Sequence, residues 1–436
     1  MNCGQEWLAE SRRRGKGSRA ASWLAAVLVL GCSSDTKDGT VGVEVFNWWD
    51  APGEYEAMEA LIEVHEERHP NIDVLNAHHA NSDESRSLLE MRILEGEPPD
   101  TFQANAGHDL MRWVGAYSRG SVDILWSLDD VADEEGWLDA FPPEVLDTVR
   151  EDEVLYAVPL NIHRINTLYY NVHIFDELGL TVPTTLDELE QTCQTLVEAE
   201  ITPIELGADP DGYALASFVF ENLLVGEAGP DYYRAFFSGQ ASADDPQIDS
   251  LLTRAARLLQ YVDPDVLQID WTEAANRLSR GDGAMMINGD WTKGYLMAEG
   301  AEPGTDFGEV ATPGLEPTDR AFVFTSDTFP VSSGSRHPRE TKSLLATFGS
   351  IAGQRVFNRE KGSIPARTDV PASAFDELSR ATIDDFREGE RVLALSGLAP
   401  MVFLAPVQEA LLTFYETRDP DIVRFRVRNY YDALSH

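Results

Sequence analysis

Four tryptophans of this sequence stand near carboxylates and amides, a combination suited to binding a small polar molecule. Trp48 and Trp49 are adjacent in FNWWDAP, and Glu54 follows after a Pro-Gly turn; Trp271 lies in QIDWTEAANRL and Trp291 in MMINGDWTKG. An indole plane favours the C–H-rich face of a sugar ring, while carboxylates and amides hydrogen-bond its hydroxyls. The pattern therefore predicts a carbohydrate site, although core packing is the competing explanation for any one of these rings.

Motifs for catalysis or metal binding do not accompany these residues. The sequence has no GxSxG, HExxH, paired CxxC or P-loop. Asp209 and Asp211 have a loop-like spacing, but the twelfth position counted from Asp209 is Phe220, which does not fit an EF-hand. We predict neither a metal site nor a cofactor. The competing enzymatic interpretation is a secreted glycoside hydrolase, for which Glu54 and Asp327 would be the carboxylate pair.

The charge of the chain is strongly negative. Lys and Arg number 34 against 75 Asp and Glu, so the formal net charge is −41 at pH 7. Nucleic-acid binding needs cationic contacts to phosphates, so this balance argues against it. Anionic ligands are disfavoured for the same reason, and we expect an uncharged ligand.

The N-terminus has the pattern of an export signal. Basic residues between 12 and 19 precede the apolar run WLAAVLVLG, which is too short to span a bilayer but suits a secretory signal. The run continues into Cys32 and resembles a bacterial lipobox. Residues 1–31 are therefore predicted as a signal peptide, and residues 32–40 as a lipidated cysteine and tether that hold the protein at the cell envelope, periplasmic or cell-surface. The alternative is an ordinary signal peptide with a chance cysteine.

The mature chain alternates strands and helices. A strand over Val41 to Trp48 is followed by a helix in which Met58, Leu61 and Ile62 fall at helical spacing, and NIDVLNA then reads as the next strand. DTFQAN contains a third strand after a second helix. This βαβ alternation predicts an α/β fold with helix-covered sheets.

Two polar interruptions indicate where the chain crosses between lobes. LYAVPLNIHRINTLYYN contains two strand pieces separated by the segment 161–164, and RAFVFTSDTFPV reads as a strand that returns. We therefore predict lobe one from 41–162 plus about 328–364, and lobe two from 163–327 plus about 365–436. Small ligands bind in clefts at such junctions.

Six blocks together carry a resemblance to a known family. They are VEVFNWWDAPGEYEAMEALIEVHEERHPNIDV, GEPPDTFQANAG, LYAVPLNIHRINTLYYN, GDGAMMINGDWTKGY, FTSDTFPV and KGSIPAR. In this order they resemble the extracellular sugar-binding proteins of bacterial ABC importers, the family 1 solute-binding proteins, and most of all their glucose/mannose-binding members. The resemblance implies the two-lobed periplasmic-binding-protein fold with hinge crossings and an inter-lobe ligand cleft. It also implies a monomeric, non-enzymatic receptor whose partners are a sugar and the permease of an ABC transporter, with a sugar sensor for a chemoreceptor as the alternative.

The same resemblance assigns roles to individual residues. Aromatic contacts to the sugar, and polar contacts to its hydroxyls, are implied for Trp48, Trp49, Trp271, Trp291, Glu54, Gln103, Asp327 and Lys361. For Lys361 a salt bridge to one of the many acids is the alternative, and for His163 and Arg164 a structural role at the crossing is an equal one. With a sugar-facing ring, Trp49→Ala should weaken binding tenfold or more with little loss of stability.

Two positions depart from the glucose-binding pattern. Asn105 stands in QANAG where those relatives carry a histidine, and Gly397 in ALSGLAP stands near the position of their second histidine. Losing two imidazole contacts of about 1 kcal/mol each would favour a different sugar or a weaker fit. Asn105 is therefore retained as a candidate ligand contact, and glucose is a weaker expectation than sugar.

Overall fold

The computed structural model describes residues 40–79, 82–115, 124–208, 212–318, 321–399 and 401–434. The predicted signal peptide, Cys32, the tether up to residue 39, and the pair Asp209 and Asp211 lie outside the described residues. Within them, none of the helices combines the length and apolar character needed to cross a membrane.

The strands are numbered in chain order. They are β1 (Val41–Asn47), β2 (Ile72–His78), β3 (Thr101–Phe102), β4 (Ala104–Asn105), β5 (Leu125–Trp126), β6 (Arg150–Glu151), β7 (Val154–Leu155), β8 (Ala157–Pro159), β9 (His163–Arg164), β10 (Thr167–Asn171), β11 (Thr202–Glu205), β12 (Gly283–Asn288), β13 (Phe307–Ala311), β14 (Phe322–Thr325), β15 (Asp327–Ser332) and β16 (Arg391–Leu393).

The α-helices are numbered in the same way. They are α1 (Glu54–Arg68), α2 (Ser82–Leu94), α3 (His108–Gly115), α4 (Asp129–Glu135), α5 (Trp137–Ala140), α6 (Pro143–Leu146), α7 (Val172–Leu178), α8 (Leu186–Glu198), α9 (Tyr213–Ala216), α10 (Leu224–Phe237), α11 (Pro246–Leu258), α12 (Trp271–Arg280), α13 (Trp291–Ala298), α14 (Pro338–Phe348), α15 (Ile351–Lys361), α16 (Glu377–Glu388), α17 (Leu395–Leu398), α18 (Met401–Thr417) and α19 (Pro420–Leu434). A π-helical turn, Ser217–Leu223, joins α9 to α10.

The first lobe is built on the sheet that contains β1. β2 and β3 flank β1 in parallel, and β15 continues the sheet in the antiparallel sense, pairing with β3, β4, β5 and β8. Parallel neighbours require crossover connections, and α1 and α2 supply them as predicted. α1 buries Met58, Leu61 and Ile62, the positions its spacing indicated.

The second lobe is built on the sheet β11-β12-β10-β13. Its helix α8 begins with a capping box, in which Thr185 accepts from the Glu188 amide and the Glu188 carboxylate accepts from the Thr185 amide. Cys193 on α8 is fully buried, where it packs as a small apolar residue, and burial raises the pKa of its thiol to about 12.

The returning segment RAFVFTSDTFPV differs from its prediction as one strand. β14 pairs with β9 and β16 in a three-stranded sheet, whereas β15 joins the first lobe, and Ser326 separates them. The chain changes sheets at this residue, so one continuous strand could not make both sets of hydrogen bonds.

Hydrophobic clusters form the interiors of the two lobes. The first cluster includes Val43, Phe46, Trp49 and Phe357 and fills the first lobe. A second cluster, which includes Cys193, and a third, which includes Tyr169 and Tyr295, lie on the second lobe's sheet. Five buried residues beyond 364 also belong to the first cluster: Ala366, Val370, Phe375, Ile383 and Phe386. The residue boundaries of the lobes stay a prediction.

Candidate functional site

Asp327 lies at the start of β15, directly opposite Asn105 of β4. Its Oδ1 accepts from Gln103 Nε2 at 2.8 Å, and its Oδ2 accepts from Asn161 Nδ2 at 2.8 Å and lies 2.9 Å from His163 Nε2. The backbone amide of Asp327 donates to Asn161 Oδ1 at 2.8 Å. The carboxylate is buried, and these partners compensate its desolvation.

His163 connects this carboxylate to a second one. Its Nδ1 makes a short hydrogen bond to Asp290 Oδ1, and Asp290 Oδ2 accepts from the Arg164 amide at 2.9 Å. Asp290 immediately precedes α13 of the second lobe, whereas Asp327 belongs to the first. Each ring nitrogen faces a carboxylate, an arrangement that favours the doubly protonated imidazolium.

The electrostatic balance of His163 follows from these two contacts. Burial alone would disfavour its charged form, but the charges and hydrogen bonds of Asp290 and Asp327 outweigh burial and raise the pKa of His163 to about 9. For Asp327, burial acts to raise the pKa, and the stronger opposing influence of His163, with Lys361 and Asn161, lowers it to about 2. Two acids and one imidazolium thus form a buried charged cluster where the lobes meet.

The raised pKa of His163 predicts a pH-dependent stability. Its stabilising contribution is complete below the unfolded value of 6.5 and is lost as pH rises through about 9. We expect up to about 3 kcal/mol of unfolding free energy to be lost over this interval, from 1.36 kcal/mol per pKa unit. Urea unfolding of wild type and His163→Gln at several pH values would measure it.

Comparing the stability loss of wild type with that of His163→Gln separates the contribution of His163 from those of other groups that titrate in the same pH range. Glu205 and Glu221, whose pKa values burial raises to about 8 and about 7, titrate in both proteins. The variant should therefore lose less stability than wild type between neutral and alkaline pH. Equal losses in both proteins would contradict the charged-cluster assignment.

Lys361 and Glu54 form a second polar pair beside the tryptophans. Lys361 Nζ, at the end of α15, lies 2.5 Å from Glu54 Oε1 at the start of α1. The ammonium lies 5.4 Å from the Trp49 ring centroid and 5.9 Å from that of Trp291, within cation–π range. Trp291 in turn meets His163 edge-on at 5.3 Å, so this pair adjoins the charged cluster.

The adjacent tryptophans occupy different environments. Trp49 is only 1% exposed and packs against Phe329 and Phe357, with ring centroids 5.7 and 5.0 Å away. Trp48 is half-buried; its amide donates to Gln103 Oε1 at 3.1 Å and the Arg86 guanidinium lies 4.6 Å from its ring centroid. We expected from the sequence that Trp49→Ala would cost little stability. The burial of Trp49 makes that expectation wrong, because removing a ring from the core lowers the free energy of unfolding.

Trp271 stands somewhat apart from these groups. It begins α12 and contacts Tyr295 edge-on at 5.3 Å. Trp271 and Ala51, the latter from the turn after Trp49, both pack against the third cluster. The structure thus brings Trp271 toward the turn that follows Trp48 and Trp49. The hydrogen bonds of Asp327 involve Gln103, Asn161 and His163 instead.

Two residues that hydrogen-bond within this site, Asn161 and Asp290, are absent from the residues predicted from the sequence as site residues. The sequence marks Asn161 only as part of the polar interruption at the crossing, and Asp290 only as part of the block GDGAMMINGDWTKGY. The available signal was a buried-strand pattern broken by polar residues, which indicates a crossing but not its partners. Within the described residues, no group of three or more His, Cys, Asp or Glu side chains is placed to hold a metal ion.

Comparisons with known proteins identify the family of this chain. Residues 49–355 match the family described as bacterial extracellular solute-binding protein. A Pyrococcus horikoshii protein named uncharacterized ABC transporter extracellular-binding protein PH1214 is 32% identical over 414 residues, covering 91% of this chain and 90% of that protein. A Brucella suis protein named probable sugar-binding periplasmic protein is 30% identical over 386 residues, covering 87% of each.

A solved structure supports the fold. A chitin oligosaccharide binding protein superposes with a TM-score of 0.79 at 20% identity, covering 91% of this chain and 99% of that one. Together with the two lobes and the polar cluster at their junction, these matches establish that the chain belongs to the bacterial extracellular solute-binding protein family.

Proposed function

We propose that this protein is a carbohydrate receptor that captures a mono- or small oligosaccharide between its lobes and delivers it to an ABC transporter permease. The observation that carries the proposal is the cluster at the lobe junction, where Asp327, His163 and the Lys361–Glu54 pair adjoin Trp291. Aromatic faces beside carboxylate, amide and ammonium groups are the complement of a sugar ring and its hydroxyls.

Lobe closure is the proposed mechanism. A sugar that contacts both lobes binds the closed form more tightly than the open one and shifts the equilibrium toward it. In the structure the polar groups of the site hydrogen-bond one another, as Gln103 and Asp327 do. Hydroxyls of a bound sugar would take over some of these bonds, so few buried groups lose a partner when the site fills.

The names of the relatives support the same class of ligand. The Brucella suis protein is named for sugar binding and the Pyrococcus horikoshii protein for an ABC transporter. Glucose or mannose is our first candidate ligand, with Trp48, Asn105 and Trp271 as further contacts, whereas the buried Trp49 supports the site from the core. We also propose a monomer retained at the envelope through lipid on Cys32.

The carboxylates argue against the hydrolase alternative. A glycosidase needs a carboxylic acid whose pKa is raised so that it can protonate the leaving group. The pKa of Asp327 is instead lowered, and Glu54 is tied to Lys361. Asp327 is therefore unsuited to be the acid of the pair, which favours binding without chemistry.

A thermal-shift panel on the full chain tests the proposal. We expect at least one sugar from a set that includes glucose, mannose, galactose, xylose and arabinose to raise the melting temperature. At a hundredfold excess over the dissociation constant, linkage gives about 2.7 kcal/mol of stabilisation. Amino acids and short peptides serve as controls. If these shift the curve and no sugar does, the proposed ligand class is wrong.

A further inference from the structure

The backbones of the two lobes touch directly at glycines. Gly107, in the loop before α3, faces Gly397 of α17: a Cβ atom at Gly107 would lie 2.6 Å from the Gly397 carbonyl oxygen and 2.8 Å from its Cα. A Cβ atom at Gly397 would lie 2.7 Å from Cγ and Cδ2 of the Leu393 side chain and 2.9 Å from the Ala106 carbonyl oxygen. Ala106 belongs to the first cluster and Leu395 of α17 to the second, so this contact joins the lobes.

A second close backbone contact at glycines lies beside the Lys361–Glu54 pair. A Cβ atom at Gly53 would lie 2.6 Å from the Gly294 carbonyl, and one at Gly294 would lie 2.5 Å from the carbonyl oxygens of Glu360 and Lys361. Gly53 directly precedes Glu54, and Gly294 lies on α13 of the second lobe. Cβ atoms essentially never approach other heavy atoms this closely, so only glycine permits these separations.

The two contacts flank the candidate ligand residues. Asn105 lies two residues before Gly107, while Glu54 and Lys361 adjoin the contact at Gly294. Asp327 connects the two regions. It pairs with Asn105 in the sheet, and it belongs to the charged cluster with His163, whose ring contacts Trp291. A sugar chain running past either contact would have to separate backbones that already touch.

We propose that these glycine contacts close the cleft at two places and limit its ligand to a single sugar ring. The inference rests on the proposed sugar-binding function and narrows its substrate class from small saccharides to monosaccharides. Gly107 and Gly397 are then specificity-determining residues, because their missing side chains allow the lobes to close over one ring.

Calorimetric titration of the full chain with matched glycans of increasing length tests this inference. The series are glucose with maltose, maltotriose and cellobiose, mannose with mannobiose, and xylose with xylobiose. We expect a monosaccharide to bind at least a hundredfold more tightly than any longer glycan that contains it. Gly397→Ala should weaken the monosaccharide at least tenfold and the longer glycans less, since its methyl group would meet both the Leu393 side chain and the Ala106 carbonyl oxygen, and the contact with Ala106 would hold the lobes apart. Gly42→Ala is the control, because a Cβ atom there has no heavy atom within 4 Å.

The titrations of the wild-type protein do not depend on any variant being folded. They decide whether the ligand is limited to a single sugar ring. A disaccharide or longer glycan that binds as tightly as its monosaccharide overturns the single-ring inference and leaves the receptor function intact. Binding of no sugar of any length overturns the receptor function itself. A folded Gly397→Ala protein with an unchanged preference for length overturns the role of the glycine contact.

Discussion

Trp49→Ala is expected to lower the free energy of unfolding by about 3–5 kcal/mol, the usual range for removing a buried aromatic side chain. The ring is 1% exposed and packs between Phe329 and Phe357, so its loss leaves a cavity that the first lobe can fill only in part. It also removes an aromatic face from the Lys361 ammonium. Urea unfolding followed by circular dichroism measures the change.

Trp48→Ala is the matched control, since it removes the same side chain from the neighbouring position. Trp48 is half-buried, and we expect a smaller stability loss with at least tenfold weaker sugar binding if its ring contacts the ligand. Equal stability losses in the two variants would contradict the assignment of Trp49 to the core.

Asp327→Ala should be comparably destabilising, by about 3–5 kcal/mol, for an electrostatic reason. The substitution leaves Gln103, Asn161 and the His163 imidazolium buried with a partner missing. We also expect the sugar-induced rise in melting temperature to disappear. Unfolding by urea near neutral pH, with and without saturating sugar, gives both quantities.

Asp130→Ala provides the comparison for Asp327. Asp130 Oδ1 accepts from Lys342 Nζ at 2.7 Å, but its side chain is 67% exposed, so its removal should cost at most about 1 kcal/mol. Similar losses for the two substitutions would show that the cluster around Asp327 contributes no more than a surface ion pair.

Local sequence signals predicted the elements better than they predicted the contacts between lobes. The helical spacing of Met58, Leu61 and Ile62 depends on neighbours a few residues away, and the helix that it predicts is confirmed as α1. The sequence did not show which of the adjacent rings of Trp48 and Trp49 is buried; in the structure Trp49 is buried and Trp48 is half-buried.

The partners within the site could not be predicted in this way. His163 and Asp290 are 127 residues apart, and Lys361 and Glu54 are 307 apart, so only the fold determines that they meet. The division of one predicted strand at Ser326 likewise depends on two sheets that the sequence alone does not position.

The position of β15 has a consequence for the order of folding. This strand, Asp327–Ser332, pairs with β3, β4, β5 and β8, all of which precede residue 160. The N-terminal half of the chain therefore cannot complete its sheet until residue 332 has been synthesised. This topology delays folding of the first lobe, because its N-terminal segment cannot form a complete sheet on its own. Such a delay suits a nascent polypeptide that must stay unfolded for export.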